Sequence, residues 1–339
     1  MKATPRQALA RALAERRVIV VCGAGGVGKT TTAAALAVHA AACGRRVLVC
    51  TIDPSRRLAT SLGLQKLSDK PRRLDLSKVT DGWALGVRGQ SREAAVSPRG
   101  PSAGIHSRRE PPEVWAMMLD TKRTFDDLIQ RHTATEEARR RILENRLYQK
   151  VSAALAGSHE YMAMEKLLEL SEDGRFDLVV LDTPPTRHAL DFLEAPGRML
   201  GFLDTSVLRW FLKPYFVAGR LTLKVATRTG KVALGLADRY LGLQFLQDVS
   251  EFFLAFEGMY AGFKERAAAV HALLRDPASG FVLVASPARV AMDEALYFYQ
   301  RLSEAEMPFV ATVVNRVHPD PGEPSPASAR RRKGAGAEV

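Results

Sequence analysis

The chain has 339 residues, of which 46% are hydrophobic and 25% are charged, and its formal net charge at pH 7 is +12. This hydrophobic content can form the core of one large α/β domain or two smaller ones, so a disordered chain is not expected. Uncharged runs such as 31–44 and 277–288 are shorter than the ~20 residues that span a bilayer, so we expect a soluble protein without a transmembrane helix.

The first elements are a short charged helix and a strand. Residues 1–17 mix basic side chains with alanines and lack the apolar centre of a secretory signal, which favours a leading helix in a cytoplasmic protein. The β-branched run at 18–22 predicts a buried strand, and the alanine-rich stretch at 30–42 predicts a helix. The residues between them are therefore a strand-to-helix turn.

That turn reads Gly23-Ala24-Gly25-Gly26-Val27-Gly28-Lys29-Thr30 and has the spacing of a P-loop. Its glycines let the backbone curl so that N–H groups face phosphate oxygens, and the helix N-terminus adds a positive dipole. Lys29 would reach the β- and γ-phosphates, and Thr30 would offer its hydroxyl to Mg²⁺. The alternative is a glycine-rich turn without a ligand. We predict an ATP site made by Gly23, Gly25, Gly26, Val27, Gly28, Lys29, Thr30 and Thr31.

A carboxylate follows the next predicted strand, 46–51, in the dipeptide Asp53-Pro54. Ligands of α/β sheets bind beyond the carboxyl ends of the strands, so Asp53 is expected to face the γ-phosphate. There it would orient the attacking water and lie among the groups around Mg²⁺. The alternative reading of Asp-Pro after a strand is a plain turn. Residues 1–87, with a weaker strand candidate at 83–87, form the first part of the predicted nucleotide-binding core.

Two segments without strand character follow. Residues 88–112 have loop composition and no apolar period, which predicts a flexible insertion. Residues 113–172 are predicted to be helical, because large apolar side chains recur there at three- and four-residue spacing: Met117, Met118, Phe125, Leu128 and Ile129.

The core resumes over 173–198 with an apolar strand at 176–182 that ends in Asp182. An aspartate in this place is typical of the Mg²⁺ side of a P-loop ATPase, so we assign Asp182 a catalytic and metal-binding role. The alternative is a helix cap or a turn aspartate. Later strands are predicted at 281–286 and 309–315, within a last core segment over 276–319.

Residues 199–275 and 320–339 differ in composition from this core. The first segment predicts helices rich in large apolar side chains, which either form a groove for a hydrophobic partner or fill a helical core. The second is made largely of Pro, Gly, Ala, Ser and Arg and is predicted to be a disordered tail. Strand and helix otherwise alternate, which predicts an α/β fold: a doubly wound, mostly parallel sheet of the P-loop NTPase type with an inserted helical subdomain.

The cysteine pattern and the net charge limit which ligands and partners are expected. Cys22, Cys43 and Cys50 are odd in number and form no C-x-x-C pair, so neither a disulfide framework nor a zinc site is indicated, and we expect small core residues. The charge of +12 is compatible with nucleic acid, anionic lipid or an acidic partner. Because much of it falls in the irregular segments, a solvated surface is favoured over nucleic-acid binding.

Three ordered segments resemble the arsenical pump-driving ATPase family, which also contains the ATPases that target tail-anchored membrane proteins. They are the P-loop at 23–32, the stretch at 51–58 and the stretch at 181–190. The resemblance implies that Asp53 is the carboxylate of a first switch and that residues 182–188 form a second switch. It also implies that Asn315 reads the adenine ring, whereas on its own Asn315 would be a strand-end cap.

The chain departs from that family in three respects. The family carries a signature lysine at the second place of the loop, where this chain has Ala24. The zinc-binding C-x-x-C of the targeting ATPases and a set of metalloid-binding cysteines are also missing from the sequence, which argues against arsenite pumping. The family's strand and loop after the adenine-reading asparagine are replaced here by the tail.

The resemblance implies hydrolysis of ATP with Mg²⁺, coupled to closure of a dimer and to handling of a membrane-related cargo. The dimer would be a homodimer or a heterodimer with a paralogue that keeps the signature lysine. One alternative is a weakly hydrolysing, nucleotide-sensing subunit of such a heterodimer. Another is a partition-type ATPase that binds DNA, with affinity that falls steeply with salt.

Overall fold

The computed structural model describes residues 4–52, 57–62, 67–74, 113–133, 135–145, 148–149, 158–184 and 260–318. The helices in this part of the chain are α1 (Pro5–Glu15), α2 (Lys29–Ala42), α3 (Arg57–Ser61), α4 (Thr121–His132), α5 (Glu136–Glu144), α6 (Ser158–Glu172), α7 (Tyr260–Arg275) and α8 (Arg289–Glu304). The strands are β1 (Val18–Gly23), β2 (Val47–Thr51), β3 (Arg72–Arg73), β4 (Val114–Met118), β5 (Leu178–Asp182), β6 (Ser279–Ala285) and β7 (Phe309–Val314). None of the described helices is long and apolar enough to cross a membrane.

The strands form one sheet in the order β3-β4-β2-β5-β1-β6-β7. Every neighbouring pair is parallel except β3 and β4, which are antiparallel. At the centre of the sheet Val20 of β1 lies between Leu181 of β5 and Phe281 of β6. Parallel central strands are buried on both faces, which explains why β1, β2, β5 and β6 are apolar runs without alternation.

Helices cover both faces of this sheet. Ile19 and Val21 of β1 pack with residues of α1, α2 and α3 on one face. Val18, Val20 and Cys22 pack on the other face with residues of α4, α5, α6, α7 and α8. The two sets alternate along the strand because successive side chains point to opposite sides of a sheet. The doubly wound, mostly parallel α/β fold predicted from the sequence is confirmed.

Five strands were predicted from the sequence, and each is present, with ends shifted by up to two residues. The prediction of helix from residue 113 onward is wrong at its start, because Met117 and Met118 lie on β4, which pairs with β2. A five-residue apolar run fits strand and helix equally well, and only the pairing with β2 decides between them. The candidate strand at 83–87, the insertion at 88–112, residues 199–259 and the tail at 320–339 lie outside the described residues.

Arginines line the amino ends of the central strands, and we call Arg16, Arg17, Arg45 and Arg46 the basic rim. Arg45 Nη1 donates to the carbonyl oxygen of Leu13 at 2.6 Å, and Arg16 and Arg17 donate to the carbonyl oxygens of Ser279 and Ser171. Arg46 Nη2 lies 2.9 Å from Asp177 Oδ1, and this hydrogen bond holds the pKa of the Asp177 carboxyl below its usual range. The basic rim therefore connects α1, β1, β2, β5 and β6 at the end of the sheet opposite the P-loop.

Candidate functional site

A cavity of about 650 Å³ opens at the carboxyl ends of the central strands. In a parallel α/β sheet this is the edge where ligands bind. Residues of the P-loop form one part of its wall, and residues of α3 together with residues that follow β5 and β7 form the rest. The lining comprises Gly26, Gly28, Lys29, Thr30, Thr31, Arg57, Thr60, Ser61, Thr183 and Arg316.

The P-loop backbone takes a shape that requires glycine at two places. Gly23 has φ of +150°, and a Cβ there would lie 2.1 Å from the carbonyl oxygen of Val284 on β6. Gly28, the N-cap of α2, has φ of +99°, and a Cβ there would lie 2.2 Å from the side-chain nitrogen of Asn315. The glycines thus permit close packing against the neighbouring strand ends as well as the left-handed turn.

Asn315 holds the loop from the side of β7. Its Nδ2 donates to the carbonyl oxygen of Val27 at 2.9 Å, and its backbone N–H donates to the carbonyl oxygen of Ala285 at 2.8 Å. The side chain therefore lies beside the loop, next to the cavity, at the strand end where the adenine-reading role was expected from resemblance.

Lys29 is the first residue of α2 and is only 7% exposed. Its Nζ donates to the carbonyl oxygen of Ala24 at 2.8 Å, so the side chain folds back over its own loop. This bond orients the ammonium group across the loop, and an ammonium is a donor that phosphate oxygens can accept from. The arrangement suits a group that neutralises phosphate oxygens held in the loop.

Asp182 joins three elements at the floor of the site. Its buried Oδ2 accepts hydrogen bonds from Thr30 Oγ1 at 2.8 Å and from Thr51 Oγ1 at 3.0 Å. The next residue, Thr183, donates its hydroxyl to the carbonyl oxygen of Val21 at 2.9 Å. The ends of α2, β2, β5 and β1 are thereby fixed relative to one another.

Thr30 Oγ1 and Asp182 Oδ2 are oxygens of the kind that bind Mg²⁺. This ion is held in nucleotide sites by one or two carboxylates, a hydroxyl and the phosphates themselves, with water completing the shell. Thr30 and Asp182 supply a hydroxyl and a carboxylate that already lie 2.8 Å apart. Among the described residues no group of three or more His, Cys, Asp or Glu could hold a metal ion.

The structure brings together most of the residues predicted from sequence. The P-loop residues, Asp182 and Asn315 gather around the cavity, whereas Asp53 lies outside the described residues. Two cations in the wall were not assigned to the site from the sequence. Arg316 follows Asn315 and has φ of +59°, and Arg57 lies six residues past the end of β2.

Two of the three cysteines are buried in the sheet, as expected, and Cys43 is exposed at the end of α2, contrary to the expectation. Burial raises the pKa of the Cys22 thiol to about 12, and it raises that of Cys50 to about 12. Both thiols are therefore protonated at neutral pH, whereas the thiolate is the form that binds soft metals and metalloids.

Comparison with known proteins gives a consistent result. A family model described as anion-transporting ATPase matches residues 16–80 and 110–337 of the chain. A protein of Aquifex aeolicus named arsenical pump-driving ATPase 1 is 25% identical over 90% of this chain, which spans 64% of that protein. ATPase ARSA1 of Chlamydomonas reinhardtii is 25% identical over 89% of the chain, which spans 35% of that protein. ATPase GET3 of Podospora anserina is 25% identical over 94% of the chain and is covered to 78% of its own length.

Proposed function

The chain belongs to the anion-transporting ATPase family, and we propose that it binds ATP with Mg²⁺ in the cavity described above and hydrolyses it. The observation that carries this proposal is the 2.8 Å hydrogen bond between Thr30 Oγ1 and Asp182 Oδ2. It sets a hydroxyl and a carboxylate side by side at the mouth of a P-loop, where the Mg²⁺ of a P-loop NTPase is held. A glycine-rich turn without a ligand would need no such pair.

Each group in the site then has a distinct task. The loop N–H groups and Lys29 hold the phosphates, and Thr30 and Asp182 would hold Mg²⁺. Bound Mg²⁺ would neutralise charge on the β- and γ-phosphate oxygens. Asp53 would accept a hydrogen bond from water and orient it toward the γ-phosphorus. A P–O bond forms to that water as the bond from the γ-phosphorus to the β–γ bridging oxygen breaks, the water gives up a proton to a phosphate oxygen or to solvent, and inorganic phosphate and ADP are released.

The test is turnover by the purified chain and by Asp53→Asn. We expect the variant to bind ATP as the parent does and to lose at least ~100-fold in turnover, which is the size typical of losing a positioned catalytic group. Released phosphate and equilibrium binding of labelled ATP measure the two quantities separately. Asp293→Asn is a matched control, because Asp293 is a surface residue of α8 with a side chain 68% exposed. Unchanged turnover in Asp53→Asn would mean that Asp53 is a turn residue without a catalytic role.

We further propose that nucleotide binding closes a dimer of this chain in the cytoplasm and that closure acts on a membrane-related cargo. The apolar segment 199–275 supports a cargo groove, and the likeness to a GET3 ATPase is compatible with one. The groove would change with nucleotide, so binding of a dye that reports exposed apolar surface should differ between ADP and a non-hydrolysable ATP analogue. Equal dye binding in both states would favour a plain helical core. Two of the three cysteines, Cys22 and Cys50, are buried in the sheet and offer no accessible thiol to arsenite, which argues against arsenite as the cargo.

A second candidate function is a nucleotide-sensing subunit with little hydrolysis of its own, and Ala24 is the observation that favours it. A methyl group at this place in the loop supplies no charge to a partner's phosphates. In this reading the working unit is a heterodimer with a paralogue that carries lysine there. Slow turnover by the chain alone, raised at least ~10-fold by that paralogue or by Ala24→Lys, about 1.4 kcal/mol of barrier, would favour it.

A further inference from the structure

Three cationic side chains are found in the described wall of the cavity: Lys29, Arg57 and Arg316. Lys29 belongs to the loop itself. The other two lie on opposite sides of it, because Arg57 follows β2 and Arg316 follows β7, and these strands lie on opposite sides of β1 in the sheet, beyond β5 and β6. The two arginines therefore face different parts of a nucleotide held in the loop.

The arginine after β2 is on the side of the terminal phosphate. The Thr30 and Asp182 pair marks where Mg²⁺ would be held, and an ion there would neutralise charge on the β- and γ-phosphate oxygens. Asp182 is also hydrogen-bonded to Thr51, the last residue of β2, at 3.0 Å. Arg57 comes six residues after Thr51, whereas Arg316 comes directly after Asn315 on the other side of the loop.

Arg57 lies at the cavity on helix α3, which is packed against the core. Leu58 is 1% exposed and Ala59 is 2% exposed, and both belong to the apolar cluster that includes the buried alanines of α2. Arg57, Thr60 and Ser61, spaced as one face of a helix, are exposed and line the cavity. The sequence of α3 thus divides into an apolar face that anchors the helix and a polar face that meets the ligand space.

We propose that Arg57 contacts the γ-phosphate in the transition state and acts as an arginine finger supplied by the same chain; this proposal rests on the ATP hydrolysis proposed above. As water bonds to the γ-phosphorus and the bridging P–O bond breaks, negative charge spreads over the γ-phosphoryl oxygens and the leaving oxygen of ADP. A guanidinium presents two parallel N–H donors to such oxygens, which a point charge does not match. The loop adds no second cation of its own, because its second residue is Ala24.

The test compares the full chain with Arg57→Ala, Arg57→Lys and Arg316→Ala. Three quantities are measured: turnover, affinity for ADP, and affinity for ADP with aluminium fluoride, which imitates the transferring phosphoryl group. We expect Arg57→Ala to lose about 10³-fold in turnover, the lower end of what an arginine finger contributes. Its ADP affinity should be unchanged, and its preference for the fluoride complex over ADP should be lost. Arg57→Lys should be intermediate, because it keeps the charge and loses the paired donors.

Arg316→Ala is the matched comparison, since it removes an arginine from the same cavity on the other side of the loop. The Arg316→Ala change should weaken binding of ADP and binding of ADP with aluminium fluoride by the same factor. A parent-like fluoride preference in Arg57→Ala, with its thermal midpoint intact, would overturn the finger role while leaving ATP hydrolysis by the parent in place. A parent chain that binds no ATP would overturn the proposed function, and the finger role with it.

Discussion

Replacement of Lys29 by alanine should abolish tight ATP binding while the protein stays folded. The ammonium lies across the loop, held by the carbonyl oxygen of Ala24 at 2.8 Å, where β- and γ-phosphate oxygens would accept its protons. Hydrogen bonds to charged groups contribute about 1.5–3 kcal/mol each, so the loss of two of them raises Kd at least ~100-fold. No other residue of the loop carries a positive charge that could replace it.

Equilibrium binding of labelled ATP to parent and variant measures this effect, and thermal unfolding of the two proteins without nucleotide shows whether the fold is kept. Lys264→Ala is a suitable control, because Lys264 is exposed on α7 and far along the chain from the loop. Equal binding of ATP by Lys29→Ala and the parent would refute the assignment of the loop as a phosphate site.

Gly23→Ala should destabilise the fold by more than about 4 kcal/mol, which is exceptional for a single methyl group. The added Cβ would lie 2.1 Å from the carbonyl oxygen of Val284, a backbone atom of the paired strand β6. A backbone atom in the centre of a sheet cannot swing aside as a flexible side chain can. Strands β1 and β6 would have to separate, and the start of the P-loop would move with them.

Gly44→Ala is a control that distinguishes the steric contact with Val284 from the effect of a positive φ angle. Gly44 has φ of +93° but nothing within 4 Å of its would-be Cβ, so its replacement should cost only about 1 kcal/mol. Denaturant unfolding of both variants gives the comparison, and the yield of folded protein serves if Gly23→Ala does not fold. Similar losses in the two variants would show that backbone angle alone governs both positions.

The loop could be predicted from sequence because its requirements are local. Glycines at fixed spacing, a lysine and a threonine are read directly from neighbouring positions, and the apolar strands around them are nearly unbroken runs. Asp182 was identified for the same reason, as the last residue of such a run. Its hydrogen bond with Thr51 was not predictable, since it depends on β2 and β5 being neighbours in the sheet although they are distant in the chain.

Other features could not be predicted from the sequence, for related physical reasons. Strand β4 was misread because five apolar residues followed by an amphipathic helix give the same spacing signal as one longer helix. The position of Arg57 depends on how α3 packs on α2, and that of Arg316 depends on the pairing of β7 with β6. Composition carries neither kind of information. The site therefore follows from sequence at the loop and from topology at its walls.

The basic rim has a consequence for how this protein tolerates change. It lies at the amino ends of strands whose carboxyl ends form the cavity, and the six residues of β1 place the two ends about 20 Å apart. Energetic coupling between substitutions at that separation is small, so effects at the two ends should add. Stabilising changes at the basic rim could then be combined with changes in nucleotide use at the cavity, with little effect of one on the other.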